Sequence, residues 1–207
     1  MDCAVYLLQT MRTADPKAPT KEKIIASAIK LMLAQGFTAT SVDEIILDAQ
    51  TTKGSFFHFF KSKEELAKSA LERYVCGQLE RFQSAPFQKE KNPQKRVFGR
   101  IDASIAIFKD SSLPKSCLLG NFAQELAATN SEFQSVCAKM FTLAVEEFAR
   151  DLKAAGCRDS VGLANLYYSI IQGSMILGKA KQDVNIAIEN LKHFKQYIKT
   201  QIKEYGK

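Results

Sequence analysis

Along most of the chain apolar residues return every three or four positions, the period of amphipathic helices, and no alternating strand pattern or internal repeat interrupts it. Ile24, Ala28, Leu31 and Met32 share one face of a first helix that Thr20 can cap and Gly36 ends. Ser41-Val42-Asp43-Glu44 fits a capping box and opens a second helix running to about Asp48. Ala49–Thr51 makes a tight connection to a short helix near Thr52–Phe59. A second box, Ser62-Lys63-Glu64-Glu65, starts a long helix that Pro86 stops, and a polar loop follows over Ala85–Asn92. Further helices are expected over Pro93–Asp110, Lys115–Ala128 after a turn at Leu113-Pro114, Ser131 to Gly156 with Ser131 as cap, Asp159–Lys181 and Asp183–Glu204. The expectation is an all-α, nine-helix chain: an arm over residues 1–19, a small bundle over 20–66, and a larger bundle over 67–207.

The second and third helices, joined by a three-residue turn, have helix-turn-helix spacing, in which the second of the pair enters the major groove of DNA. Here that helix opens Thr51-Thr52-Lys53-Gly54-Ser55. Hydroxyls and a cation suit base edges and phosphates, and Gly54 removes a side chain where DNA would approach the backbone. Charge sharpens the picture. The sequence holds 29 basic and 22 acidic residues, a net +7. Residues 1–66 carry eight of each sign, so DNA binding there must rest on a local patch. Lys53 through Lys63 supplies one, with three lysines, His58 and no acid.

Ile24-Ile25-Ala26-Ser27-Ala28, Gly36-Phe37-Thr38-Ala39-Thr40-Ser41-Val42 and Lys53-Gly54-Ser55-Phe56-Phe57-His58-Phe59-Phe60-Lys61-Ser62-Lys63-Glu64-Glu65-Leu66 strongly resemble the TetR/AcrR family of bacterial repressors, without gaps from Thr20 to Leu66. The resemblance implies a nine-helix TetR-type fold, a homodimer on a palindromic double-stranded operator, and a small-molecule inducer in the larger domain that lowers DNA affinity. By position it implies that Thr40 and Ser41 hold a phosphate, that Thr51, Thr52, Lys53 and Ser55 face bases or nearby phosphates, and that His58 and Lys63 hold the backbone. Two positions depart from the family pattern. Its turn glycine and following apolar residue are Gln50-Thr51 here, and its phosphate-donating tyrosine is Phe57, which has no hydroxyl. Phe56 and Phe60 are expected in the core.

For the inducer, the larger bundle offers Phe82, Phe98, Ile101, Phe108, Phe122, Phe141, Tyr167 and Tyr168, residues that ordinary core packing would also use. Ser116-Cys117-Leu118-Leu119-Gly120-Asn121-Phe122-Ala123-Gln124-Glu125-Leu126 resembles an electrophile-sensing subgroup of the same family, which implies a reactive thiol at Cys117 and a partner lysine at Lys179. Lys115 and a helix start beside Cys117 favour a thiolate, while a buried cysteine is commonly a small hydrophobe, so both readings stand. The last two helices, with Leu166, Ile170, Met175, Ile188, Phe194 and Tyr197 among others, are more apolar than one core face requires and are expected to form the dimer seam.

Other classes find less support. Five widely spaced cysteines without a Cys-x-x-Cys pair, and only two histidines, argue for reduced thiols in a cytoplasmic protein without a structural metal. No phosphate-binding loop, nucleophile elbow or acid–base dyad appears, so neither enzyme activity nor a cofactor is expected. A helical scaffold without DNA binding is the alternative of another class. The start lacks a basic segment and a long apolar run, so residues 1–19 read either as a loosely ordered arm or as one translated in part from upstream of a true start at Met11. Ser160–Gly178 is 19 residues without charge, but Asn165, Gln172, Gly162 and Gly173 within it suit a protein interface better than a membrane.

Overall fold

The computed structural model describes residues 18–112 and 115–205. Among these are nine α-helices: α1 (Ala18–Gln35), α2 (Val42–Asp48), α3 (Lys53–Phe59), α4 (Lys63–Gln83), α5 (Pro93–Lys109), α6 (Leu118–Leu126), α7 (Ser131–Ala154), α8 (Ser160–Lys181) and α9 (Asn185–Tyr205). No strand occurs among the described residues, so the fold is the expected all-α one. The anticipated arm, save its last two residues, and the Leu113-Pro114 turn lie outside the described residues.

Helix ends follow from short polar side chains and left-handed residues. Ser41 caps α2 in a complete box: its hydroxyl accepts the Glu44 amide, and the Glu44 carboxylate accepts the Ser41 amide at 2.7 Å. Those bonds, the Ser41 amide first, hold Glu44 below the usual carboxylate range. Thr52 caps α3 by accepting the Ser55 amide at 3.1 Å. The start of α7 corrects the expected cap. Asn130, one residue before Ser131, accepts the amides of Glu132 and Phe133. The polar loop contains a 3-10 turn, Pro86–Lys89, seated by buried Phe87. Helix α6 is shorter than expected at both ends. Lys115, anticipated inside it, instead turns its ammonium back to the carbonyls of Ile107 (2.8 Å) and Asp110.

The chain divides into two compact units. The first runs to Glu80 and takes back Leu118–Gln134; the second comprises Arg81–Cys117 and Ser135–Lys207. In the first, Ile24, Met32, Ile45, Phe56, Phe60 and Leu66 form a fully buried centre. Phe37 is covered by Phe122 of α6 and Phe133 of α7, the rings 6.0 and 6.3 Å from its own. In the second, Val97, Ile101, Phe148, Leu152, Ala164, Tyr167, Leu191 and Ile198 bring α5, α7, α8 and α9 around one apolar core. Residues of α8 outside that core stay exposed, among them Val161, Leu166, Ile176 and Leu177, with Tyr197 on α9. No helix among the described residues is long and apolar enough to cross a membrane.

Candidate functional site

The connection from α2 to α3 is built by hydrogen bonds rather than by glycine. The Thr51 amide donates to the Ile46 carbonyl and the Gln50 amide to Leu47, both at 3.1 Å, closing a Schellman motif. Such a motif needs a left-handed residue at its hinge, and Gln50 takes it with φ of 50°. The departure seen in the sequence is therefore in the residue and not in the geometry. The turn delivers α3 with Thr52, Lys53, Gly54, Phe57 and His58 exposed, while Phe56 and Phe60 are buried beneath. Ser55 and Thr51 are half-buried, and the Ser55 hydroxyl shares a 3.0 Å hydrogen bond with that of Thr52. A Cβ at Gly54 would touch only Thr52 Oγ1, at 3.8 Å, so the chain itself leaves that surface open. Lys53 Nζ lies 3.5 Å from Asp43, but both side chains are mostly exposed and the pair is weak. Phe57 puts half of a large apolar ring into solvent beside them, with 51% of its surface exposed. This is a small cationic and hydroxyl-rich face with an aromatic at its edge, a set of groups that can meet phosphates and bases.

The loop before α2 is held from two sides. Lys63 Nζ donates to the carbonyls of Phe37 and Thr40, each at 3.0 Å, and lies 4.2 Å from the centre of the Phe37 ring. Glu125, near the end of α6, accepts the amides of Phe37 (3.0 Å) and Thr38 (2.8 Å) on its two carboxylate oxygens. A cation thus takes the carbonyls and an anion the amides. Asn121 adds a bond to the Met32 carbonyl at 3.1 Å. Gly36, with φ of 89°, lets the loop leave α1, and a Cβ there would sit 2.4 Å from Glu125 Oε1. These contacts revise one expectation. Thr40 is fully buried, its hydroxyl donating to the Gly36 carbonyl at 2.6 Å, so it is not turned to a phosphate. Lys63, half-buried, gives two of its three ammonium hydrogens to the loop, and Ser41 is exposed at the start of α2.

In the second unit the sequence candidates separate. Ile101 and Phe108 are buried in its core, Phe98 packs half-buried against it, and Phe141 is half-buried. Phe122 belongs to the first unit, where its ring meets Phe37 and Phe133. Phe82, Tyr167 and Tyr168 gather around Arg100, which was not among the candidates. Its guanidinium lies 5.1 Å from the Phe82 ring centre and 4.9 Å from that of Phe148, and Nη2 donates to Tyr168 (3.0 Å) and Glu147 (3.2 Å). Burial opposes the arginine charge, but Tyr168, Tyr167 and Glu147 outweigh it and hold the pKa above its ordinary value. Burial likewise pushes the Tyr168 phenol up to about 12 and raises Tyr167, whose hydroxyl shares a 2.5 Å hydrogen bond with Ser104. Separately, a cleft of about 320 Å³ is lined by Phe108, Lys115, Ser174, Met175 and Lys179 together with the α8–α9 turn. Cys117, half-buried, stands directly before α6; Cys137 and Cys157 are buried, which raises their thiol pKa values. Among the described residues no group of His, Cys, Asp and Glu could hold a metal.

Comparison with known proteins settles the family. Residues 24–70 match the profile of bacterial regulatory proteins of the tetR family, and residues 93–190 match the C-terminal domain of LmrA/YxaF-like transcriptional regulators. The chain belongs to the TetR family. Like other TetR-family regulators it is a transcriptional regulator with a DNA-binding domain. It is 25% identical over 190 residues, 90% of this chain and 95% of the relative, to an HTH-type transcriptional regulator in the lacX 3′ region of Lactococcus lactis. It is 28% identical over 170 residues (81% and 88%) to the regulator YxaF of Bacillus subtilis, and 23% identical over 188 residues (87% and 94%) to the repressor NemR of Escherichia coli. Among solved structures, a TetR regulator from Chloroflexus aurantiacus superposes with a TM-score of 0.79 at 22% identity over 88% of this chain and 95% of that one. The reduced form of NemR does so at 0.74, also 22% identical, over 86% and 95%.

Two parts of this TetR-family chain escaped sequence reasoning. Glu125 follows Gln124 on a short amphipathic helix, where a carboxylate ordinarily faces water, and nothing in the pattern says that its partners lie 87 and 88 residues away. Arg100 had a signal that could have found it. Val97 lies three residues before it and Ser104 four after, so Arg100 falls on the buried stripe with them and not on the solvated side.

Proposed function

We propose that the chain is a dimeric, cytoplasmic regulator, in the repressing mode, that binds a palindromic operator through α3 and leaves it when a small molecule occupies the second unit. The carrying observation is the exposed face of Thr52, Lys53, Gly54, Phe57 and His58, presented by a turn whose hydrogen bonds fix α3 against α2. Thr51, Ser55 and Ser41 flank that face, while Thr40 and Lys63 serve it by holding the loop that precedes α2. Pairing the exposed apolar residues of α8 and α9 across a two-fold axis would give the dimer and present two α3 helices to half-sites about 34–36 Å apart. The route by which the effector acts is suggested by the chain path. It leaves the second unit at Cys117, and α6, next along, grips the loop before α2 through Glu125.

The test is fluorescence anisotropy on duplex DNA from upstream of the chain's own gene, at several salt concentrations. Lys53→Ala should weaken binding and lower the salt slope by about one, with the dimer intact by sedimentation. Lys53→Ala and Thr52→Ala both binding as wild type would refute the assignment of α3. The position of Cys117 directly before α6 supports a second reading on the same scaffold, a thiol that adds an electrophile, with Lys179 as the lysine the resemblance implies. N-ethylmaleimide releasing DNA from wild type but not from Cys117→Ser supports it, and equal behaviour of the two removes it.

A further inference from the structure

We infer that Arg100 anchors a binding site for a small organic carboxylate with an apolar body, inside the second unit. Only the regulatory consequence rests on the effector reading above.

An arginine has five N–H donors, all in the plane of the guanidinium. Nη2 uses its two, on Tyr168 and Glu147. Nε and Nη1, with the remaining three, are buried and make no hydrogen bond. The residue is only 1% exposed. A structural role accounts poorly for this. A buried donor without a partner is costly, more so on a charged group, and an apolar side chain of similar volume commonly replaces a buried ion pair at no loss of stability. A methionine between Phe82 and Phe148 would fill the space without unmet donors. Arg96, one turn earlier, shows the contrast: its Nε meets Asp151 at 2.6 Å and its Nη1 the Glu90 carbonyl at 3.0 Å.

Charge points the same way. Glu147 gives Arg100 a single contact at 3.2 Å, and its own side chain is 28% exposed and approached by Gln88 Nε2 at 3.5 Å. Its charge is shared with water, while that of Arg100 is not. Tyr167, Tyr168 and Ser104 are neutral at physiological pH, which leaves Glu147 as the anion beside the guanidinium. The guanidinium carbon lies over both phenyl rings, and the free hydrogens lie in the guanidinium plane, where a carboxylate is received in bidentate fashion. The aromatic surroundings suit an apolar body. Phe82, Tyr168 and Glu147 are half-buried, so Arg100 lies one side chain beneath the surface, with Phe82 the wall to be moved.

The experiment follows the Nε–H resonance of Arg100 in the intact protein by ¹H–¹⁵N NMR, while hexanoate, benzoate and phenylacetate, and then their amides, are titrated. The resonance is assigned by its loss in Arg100→Lys. We expect a saturable shift with at least one acid, binding at least about tenfold tighter than its amide, as a bond to a charged acceptor would give. Glu147→Gln removes the competing carboxylate and should tighten the acid but not the amide. Calorimetry with Arg100→Lys and Arg100→Met should show binding reduced at least about tenfold in whichever variant folds. Amides binding as tightly as acids, or no acid moving the resonance, overturns the proposal, as does a Glu147→Gln protein that binds the acid no better. No DNA is involved, so an acid that binds while DNA does not removes the regulator reading and leaves this site standing, and the converse pair of results does the reverse.

Discussion

Replacing Glu125 by alanine removes the acceptor for two backbone amides at once, and the structure allows the cost to be apportioned. A hydrogen bond to a charged group contributes about 1.5–3 kcal/mol, and a buried donor left without a partner costs in the same range. The Phe37 amide is partly buried and should carry the full amount. The Thr38 amide is exposed, so water takes the place of the carboxylate there at about 0.5 kcal/mol or less. The expected loss is about 2–3 kcal/mol, which at a urea slope of about 2 kcal/mol per molar moves the midpoint down by about 1 M. Glu125→Gln keeps one accepting oxygen and presents an NH₂ to the other amide, so it should fall between. Urea unfolding at fixed protein concentration measures the loss, and hydrogen exchange at the Phe37 and Thr38 amides should quicken only in the variants. Gly36→Ala gives an internal control. Its cost combines left-handed strain of about 1–2 kcal/mol with a Cβ placed on Glu125 Oε1, so it should be smaller in the Glu125→Ala background. An unchanged midpoint and unchanged exchange in Glu125→Ala would refute the reasoning, because water would then serve these amides as well as the carboxylate does.

Other outcomes are equally direct. Gln50→Gly, at an exposed left-handed position without a side-chain partner in the turn, should stabilise the protein by about 0.5–1 kcal/mol, read from the same urea transition. A fall in stability would mean that the Gln50 side chain contributes more than its backbone angle costs. Absorbance at 295 nm during alkaline titration should show Tyr167 and Tyr168 ionising later than ordinary tyrosines, Tyr168 near pH 12. Between about pH 10 and 12 the unfolded chain binds fewer protons at these residues than the native one, so the stability they contribute should decline as pH rises across that interval. All tyrosines titrating together before unfolding would contradict the burial assigned to them. In native protein, iodoacetamide should spare Cys137 and Cys157, buried with raised pKa values, and modify half-buried Cys76 and Cys117 first, as peptide mass mapping would show.

Local rules carried most of the fold. Ser41 and Glu44, three residues apart, announce α2 because the box they form is complete within four residues. Gly36 and Gly156 announce helix ends because a left-handed exit suits glycine, and both are left-handed here. Gln50 and Gln182 make the same exit from α2 and α8 without that signal, so only the neighbouring polar residues mark those two ends. The α3 face was legible because its exposed and buried residues follow helical spacing: Phe56 and Phe60 fall inward and Phe57 outward. What could not be read was long-range. Thr40 looks like a surface hydroxyl until Gly36 bends its carbonyl beneath it, and Lys63 looks solvated until the loop at 37–40 arrives. Asn130 displaced Ser131 as the α7 cap because two such residues stand side by side and only geometry selects between them. Phe122, expected on sequence grounds to line the effector site, meets Phe37 and Phe133 in the first unit, a packing that no local pattern shows.

The return of residues 118–134 into the first unit bears on how such regulators can be cut and recombined. The DNA-reading head is not a cassette that ends where α4 leaves it. Phe37 finds its ring neighbours, and the loop before α2 its acceptor, in a segment synthesised some eighty residues later. During translation the head cannot finish packing until α6 has emerged, and a chimera that joins this head to another sensing half beyond α4 would inherit a loop without its carboxylate acceptor and a phenylalanine without its ring neighbours. Grafts that carry residues 118–134 along with the head should keep the contacts of Phe37 and of the loop before α2 intact.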